Sequence, residues 1–381
     1  MTCLVFVPEG LYAAREKHLR EAANERRKFR KHQEKARTNS KYMTLIVDGM
    51  TQATTQLPHF ERKPSWVGKD QLDCHVIGSI IEDVGVYLEF SYKNIGDDAN
   101  VVIDNVHKAI IRTRADRKAK GKAFPEVLYL QLDNVSHNKG MNLYTYLSFL
   151  VHTGVFRKVK VNYLLVGHTH ENIDQVFSRF SMALRRRNCL TLHELMECAK
   201  TCYIPVPTVE HVQTVTDWLG WFEENGCMGK FSDISFNHAF RIKKAEEEPV
   251  PDPDGLSQPW LAVRIHSKLL GWRENGECGK HWAPRGGVGQ LKGMPEGSPS
   301  GQDLHELDDK EFFGLEKILA GFRDNFGEAF EGGLRDYWET QLRFQRAVRE
   351  GDREPVGFEH IDILEPGTAL VSFLTVKLVL P

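Results

Sequence analysis

Seven cysteines in 381 residues, no two spaced as Cys-x-x-Cys, leave this sequence without the ligand pattern of a zinc ribbon or finger. The odd count fits a reducing compartment better than a disulfide framework. No apolar run approaches the ~18 residues of a membrane span, so no partner membrane is expected. Neither sign of charge dominates, because 50 Lys and Arg against 52 Asp and Glu give a net charge of −2. The molecule as a whole is therefore not drawn to nucleic acid, and any such contact must come from local patches. No internal repeat is visible. What is present is 41% hydrophobic residues, enough for one large domain or two ordinary ones.

The chain divides by composition and period. Residues 1–41 form a basic N-terminal segment, in which positions 13–41 are dense in Arg and Lys and lack Gly and Pro. This reads as a basic helix, either a solvated face or a phosphate-contacting one. From 42 the period becomes β-like. "YMTLIVDGMTQ" is strand-rich, and "HVIGSIIE" and "VYLEFSYK" flank Asp83-Val84-Gly85 as a hairpin. A helix over 99–122, a strand over 127–132, a helix over 140–156, a strand over 158–167 and a helix over 171–187 follow. Three antiparallel strands and then alternating α and β elements describe a mixed sheet. The sequence thus divides into a core at 42–205, a helical extension at 206–244, an acidic Pro-rich linker at 245–258 and a separate α+β segment at 259–381. In that last segment "PWLAVRIHSKLLGW" and "ALVSFLTVKLVL" read as strands, 283–303 as Gly/Pro-rich loop, and 314–350 as helix. Cys198 and Cys202 sit four apart in a helical pattern and read as packing residues, as do Trp218 and Trp221.

Three acids stand out by position. Asp48 ends the first strand, Asp133 ends the strand "VLYLQL", and Asp174 lies in the first turn of the helix after the last core strand. Each has an ordinary explanation: a turn, a helix cap, a first-turn acid favoured by the helix dipole. Together they point elsewhere. Neighbouring strands end roughly 4.8 Å apart, so these carboxylates can converge. Mg²⁺ prefers hard oxygen ligands and keeps several waters, so two or three carboxylates suffice. Two such ions about 3.5–4 Å apart can activate a water or a 3′-hydroxyl and stabilise a phosphodiester leaving group.

The stretch from "LQLDNVSHNKG" through "LVGHTHENIDQVFSRFSMALRRR" resembles the second half of a ribonuclease H-like transposase/integrase core. More narrowly, "IVDGM", "LQLDN" and "LVGHTHENIDQVFSRF" resemble an uncharacterised, transposon-associated eukaryotic domain family. The resemblance covers about residues 15–205. It implies an α/β fold, a ribonuclease H-like mixed five-stranded sheet flanked by helices, with a C-terminal α+β extension. It implies a catalytic triad of Asp48, Asp133 and Asp174 holding two Mg²⁺ or Mn²⁺ ions. The third acid is usually Glu in that superfamily, which makes Glu171 a rival metal ligand one helical turn from Asp174. Asn134, His137, His168, His170 and Asn172 would form a supporting polar loop. DNA is the implied partner and the nucleus the implied location, with a homo-oligomer possible. The basic helix starts close to the first residue and no recognisable DNA-binding module precedes the core, so an upstream domain is either missing or was never present.

Two basic clusters would position DNA phosphates without reading sequence: Arg112, Arg114, Arg117 and Lys118 on the first core helix, and Arg185, Arg186 and Arg187 after the third-acid helix. Two competing functions remain. One is a catalytically inactive, domesticated descendant that binds DNA or acts as a scaffold. The other is a metallophosphoesterase using the Gly-His-Thr-His loop, which would need His168 and His170 beside Asp48.

Overall fold

The computed structural model describes residues 9–69, 71–133, 139–163, 172–229, 237–244, 263–268 and 283–352. Strands β1 (Tyr42–Gly49), β2 (Cys74–Ile81), β3 (Gly85–Tyr92), β4 (Val127–Leu132) and β5 (Lys158–Tyr163) lie side by side as β3-β2-β1-β4-β5. β2 is antiparallel to both of its neighbours, whereas β1, β4 and β5 run parallel. The sequence pointed to five strands, but the sheet is wider. β6 (Thr208–His211) and β7 (Ala239–Lys244) bring the strands between Tyr42 and Lys244 to seven, and β8 (Val263–Lys268) and β9 (Ala283–Val288) extend it to nine. β6 escaped notice because it is four residues long and mostly exposed at an edge. β9 reads "APRGGV", whose Pro and Gly residues signal loop.

Helices cover both faces. α2 (Ala99–Ala119), α3 (Met141–His152) and α6 (Trp218–Glu224) lie on one. There Met43, Leu45, Val47, Leu128, Leu130, Val159 and Val161 pack with Ile103, Val106, Leu147, Trp218 and Phe222. Trp218 and Trp221 are core residues, as their helical spacing indicated. The other face carries α1 (Glu9–Thr38), α4 (Asn172–Leu184) and α5 (Leu192–Lys200). Phe29 of α1, Ile46, Val76, Leu88 and Phe90 of the sheet, and Ile173, Phe177, Phe180 and Leu195 form its core. α7 (Asp309–Phe326) and α8 (Gly333–Arg349) add Leu315, Phe322 and Trp338 to that same core. The C-terminal third therefore shares the sheet and one core with the rest of the chain, where composition had suggested a separate segment. The expected terminal strand "ALVSFLTVKLVL" lies outside the described residues.

The period-2 alternation of β1 and β4 fixes which side chains meet which layer. Odd positions of β1 and even positions of β4 face α2 and α3. Even positions of β1 and odd positions of β4 face α1 and α4. Thr44 donates a hydrogen bond to the His32 carbonyl of α1 at 3.1 Å, and the His32 ring stacks on Tyr129 with centroids 3.8 Å apart.

Candidate metal centre at the carboxyl edge of the sheet

Asp48 and Asp133 end two parallel strands in step. Val47 pairs with Leu132, so the next residue on each strand is an aspartate. Both continue the parity that faces α1 and α4. Adjacent strands run about 4.8 Å apart, which brings the two carboxylates to one corner of one face.

Asp174 reaches that corner through a glycine. Gly78 of β2 pairs directly with Asp48. A Cβ built on Gly78 would lie 2.6 Å from Ile173 Cδ1 and 2.8 Å from the Phe177 ring. The helix α4 thus sits on bare backbone beside Asp48, and Asp174 follows Ile173 in its first turn. The helix is held there by Ile173, Val176, Phe177, Phe180 and Leu184, all buried at helical spacing.

Asp48 feels the charge of both other acids. The Asp48 carboxyl is pushed up to about 7, first by burial, next by the charge of Asp133, and also by that of Asp174. The Gly49 N–H donates to Asp48 Oδ1 at 2.8 Å and opposes the rise. Such mutual repulsion at a half-buried site is what a divalent cation relieves. The donor set, hard carboxylate oxygen, fits Mg²⁺ or Mn²⁺. Among the described residues, however, no three His, Cys, Asp or Glu side chains are gathered closely enough to hold a metal ion. The aspartates share a field and not a ready-made coordination shell. Glu171, His168, His170, Asn134 and His137 lie outside the described residues. Asn172 opens α4, half-buried, two residues before Asp174.

The cations expected to meet DNA divide. The Arg112 guanidinium is held between Glu89, at 2.8 Å, and Glu210, at 2.7 Å. It also lies over the Tyr87 ring. Arg117 is 3% exposed, and its guanidinium lies 3.9 Å from the Asp83 carboxylate. Both therefore clamp α2 onto the sheet, which corrects their reading as phosphate contacts. Glu89 is itself buried and needs its cations, Lys108 and Arg112. Arg114 lies over the Phe124 ring. Lys118, Arg185, Arg186 and Arg187 are exposed. Gly78 was not singled out from sequence. A lone Gly inside a strand pattern signals a close backbone approach, and that signal was present.

The fold and its acid corner define an α/β protein with a candidate cation-binding edge. Residues 65–252 match the model of a family described as a domain of unknown function, DUF7869. The matched span contains Asp133 and Asp174, while Asp48 precedes it. The match agrees with the narrower resemblance in being to an uncharacterised domain, and its description says nothing of transposons. No curated protein and no solved structure matches the chain. Among the described residues no helix is long and apolar enough to cross a membrane.

Proposed function

We propose that the chain is a transposon-derived, metal-dependent polynucleotidyl transferase or endonuclease of the ribonuclease H-like kind. What supports this reading is that Val47 and Leu132, the residues before Asp48 and Asp133, are paired across β1 and β4, and that the charges of Asp133 and Asp174 both act on the Asp48 carboxyl. The element order supports it. Three antiparallel strands precede β4, which ends in the second acid, and a helix, a strand and the third-acid helix follow.

Asp48 and Asp133 would hold Mg²⁺ or Mn²⁺ from the sheet, and Asp174 from the helix. Bound there, the ions would supply an activated water or 3′-hydroxyl and stabilise the leaving oxygen of a DNA phosphodiester. The chain's own part is positional. β1 and β4 fix two carboxylates through the ladder, and Gly78 sets how near the third can come. Burial and the neighbouring charges keep Asp48 ready to exchange a proton for a cation near neutral pH. Exposed Arg185, Arg186 and Arg187 follow α4 and are available to DNA phosphate.

A second reading is an inactive descendant that retains DNA binding. Arg185, Arg186 and Arg187, exposed after α4, would serve such binding without any metal. Nicking of supercoiled DNA separates the two. The proposal expects Mn²⁺-dependent nicking that is lost in Asp133→Asn. Equal nicking by that variant would end the metal mechanism, and no nicking by either would leave the inactive reading.

A further inference from the structure

The three arginines that follow α4 do not stand alone. The chain turns tightly after the helix, where the Arg186 N–H donates to the Ala183 carbonyl and the Arg187 N–H to the Leu184 carbonyl, both at 3.2 Å. Asn188 and Cys189 then meet a segment more than a hundred positions earlier in the chain. His59 and Cys189 form an antiparallel bridge and exchange backbone hydrogen bonds of 2.8 Å in both directions. His59 Nε2–H donates to the Leu184 carbonyl at 3.0 Å, which satisfies an orphan group at the end of α4. The Glu61 N–H donates to Asn188 Oδ1 at 2.9 Å. Arg62 follows Glu61 and Arg187 precedes Asn188, so two arginines flank one hydrogen bond.

The earlier segment is also anchored from behind. Phe60 packs edge-on against Trp66 with ring centroids 5.8 Å apart, and Trp66 against Phe322 of α7 at 5.2 Å. Lys63 donates to the Gln71 side chain, whose amide donates to the Pro58 carbonyl at 2.6 Å. Arg62 is exposed, as are Arg185, Arg186 and Arg187. Among the described residues none of these four guanidinium groups has a hydrogen bond or an ion pair. Residues 59–63 and 185–191 together carry five cations and one acid, Glu61. The nearby Glu194 carboxylate is taken by the backbone N–H groups of Leu190 and Thr191, at 2.5 and 3.1 Å. An arginine run after a helix is by itself an ordinary solvated surface, favoured by the helix dipole. Here the fold pins a second cation-bearing segment to it on a rigid support, and the joined surface is strongly positive on a chain whose net charge is −2.

We infer that residues 59–63 and the arginines after α4 form one phosphate-binding surface for the DNA duplex that reaches the acid corner, with Arg62 a backbone contact and Asn188 the residue that positions it. The choice of DNA rests on the proposed function, and the surface rests on the clamp and its charge. Contacts of this kind fix a duplex in place without reading its sequence. Arg185 lies eleven positions beyond Asp174, which at ~1.5 Å per residue is about 16 Å. Successive phosphates of one strand advance ~3.4 Å along a duplex, so the surface would meet the backbone roughly 5 base pairs from the scissile bond.

The test is fluorescence anisotropy of a labelled 20-base-pair duplex with the full chain, in chelator, from 50 to 300 mM NaCl. Each phosphate contact contributes about 0.9 to the slope of log Kd against log[NaCl]. Arg62→Gln is expected to flatten that slope by about one and to weaken binding at 100 mM NaCl by roughly fivefold to tenfold. Arg62→Lys keeps the charge and is expected to keep the slope. Arg343→Gln takes the same charge from an exposed position on α8 and is expected to leave both unchanged. Asn188→Ala keeps every charge and is expected to weaken binding in wild type but not in Arg62→Gln. Wild-type slope in Arg62→Gln, an equal loss in Arg343→Gln, or no duplex binding by wild type at 50 mM NaCl would overturn the inference. Any other pattern for Asn188→Ala would overturn its positioning role. If inorganic tripolyphosphate binds as tightly as the duplex, the site takes free phosphates and the assignment to DNA fails. Arg62-dependent duplex binding without Mn²⁺-dependent nicking would overturn the nuclease reading and leave this surface standing.

Discussion

Replacing Gly78 by Ala puts a methyl group where α4 rests. The new Cβ would lie 2.6 Å from Ile173 Cδ1 and 2.8 and 2.9 Å from two atoms of the Phe177 ring. Both side chains belong to a packed core with Phe180 and Val176, so neither can swing away without displacing another. Overpacking of this kind costs ~1–3 kcal/mol. The loss of chain freedom on replacing a strand glycine returns ~0.4–1 kcal/mol. A net destabilisation of about 1–2 kcal/mol is expected in urea unfolding. Ile173→Val removes the nearest clashing atom and by itself costs ~0.5–1.5 kcal/mol. In Gly78→Ala the same change should cost less, or restore stability, giving a coupling energy of about 0.5 kcal/mol or more in a double-mutant cycle. Because Asp174 follows Ile173, Gly78→Ala should also weaken Mn²⁺ binding where a distant core substitution of equal cost does not. A Gly78→Ala protein as stable as wild type, or strict additivity with Ile173→Val, would refute the claim that this glycine sets the height of α4.

Two further outcomes follow from the charges. Asp48 titrates near 3.8 in an unfolded chain and near 7 in the fold. The folded protein therefore keeps a proton that the unfolded chain has lost, and stability falls as pH rises from about 4 to about 7. The ceiling of this loss is ~4 kcal/mol. Asp48 retains some contact with water, so about 1–3 kcal/mol is expected. In chelator, Asp48→Asn should exceed wild type in stability at pH 8 and match it near pH 4, and parallel pH profiles would contradict this. Arg112→Ala leaves buried Glu89 with Lys108 alone and frees Glu210. It should cost about 1–3 kcal/mol in urea unfolding while leaving the salt slope of duplex binding unchanged, and a flattened slope would return Arg112 to the DNA surface.

Much of the acid corner could be read in the sequence, because strand ends and helix starts are local. Asp48 and Asp133 each close a run of β-forming residues, and their shared parity follows from strand pairing. The approach of Asp174 depends on Gly78, over ninety positions away, and only the pairing of β2 with β1 reveals that link. The arginines after α4 were legible as a run at a helix end. Arg62 was not, because only the bridge between His59 and Cys189 reveals that its segment lies beside them. Arg112 and Arg117 show the opposite failure. A run of cations at a helix end has the composition of a DNA surface, but Glu89 of β3 and Asp83 of the turn between β2 and β3 face the two guanidinium groups. β6 and β9 lacked the length or composition of strands and owe their form to their neighbours in the sheet.

The central claim is that Asp48, Asp133 and Asp174 together form a divalent-cation centre. Counting bound Mn²⁺ by electron paramagnetic resonance of the free ion addresses it most directly, on the full chain at pH 7.5. The account expects about two ions per chain, fewer in Asp48→Asn, Asp133→Asn and Asp174→Asn singly, and none at this site in the triple variant. No bound Mn²⁺ at millimolar concentration, or binding indifferent to all three substitutions, would contradict it.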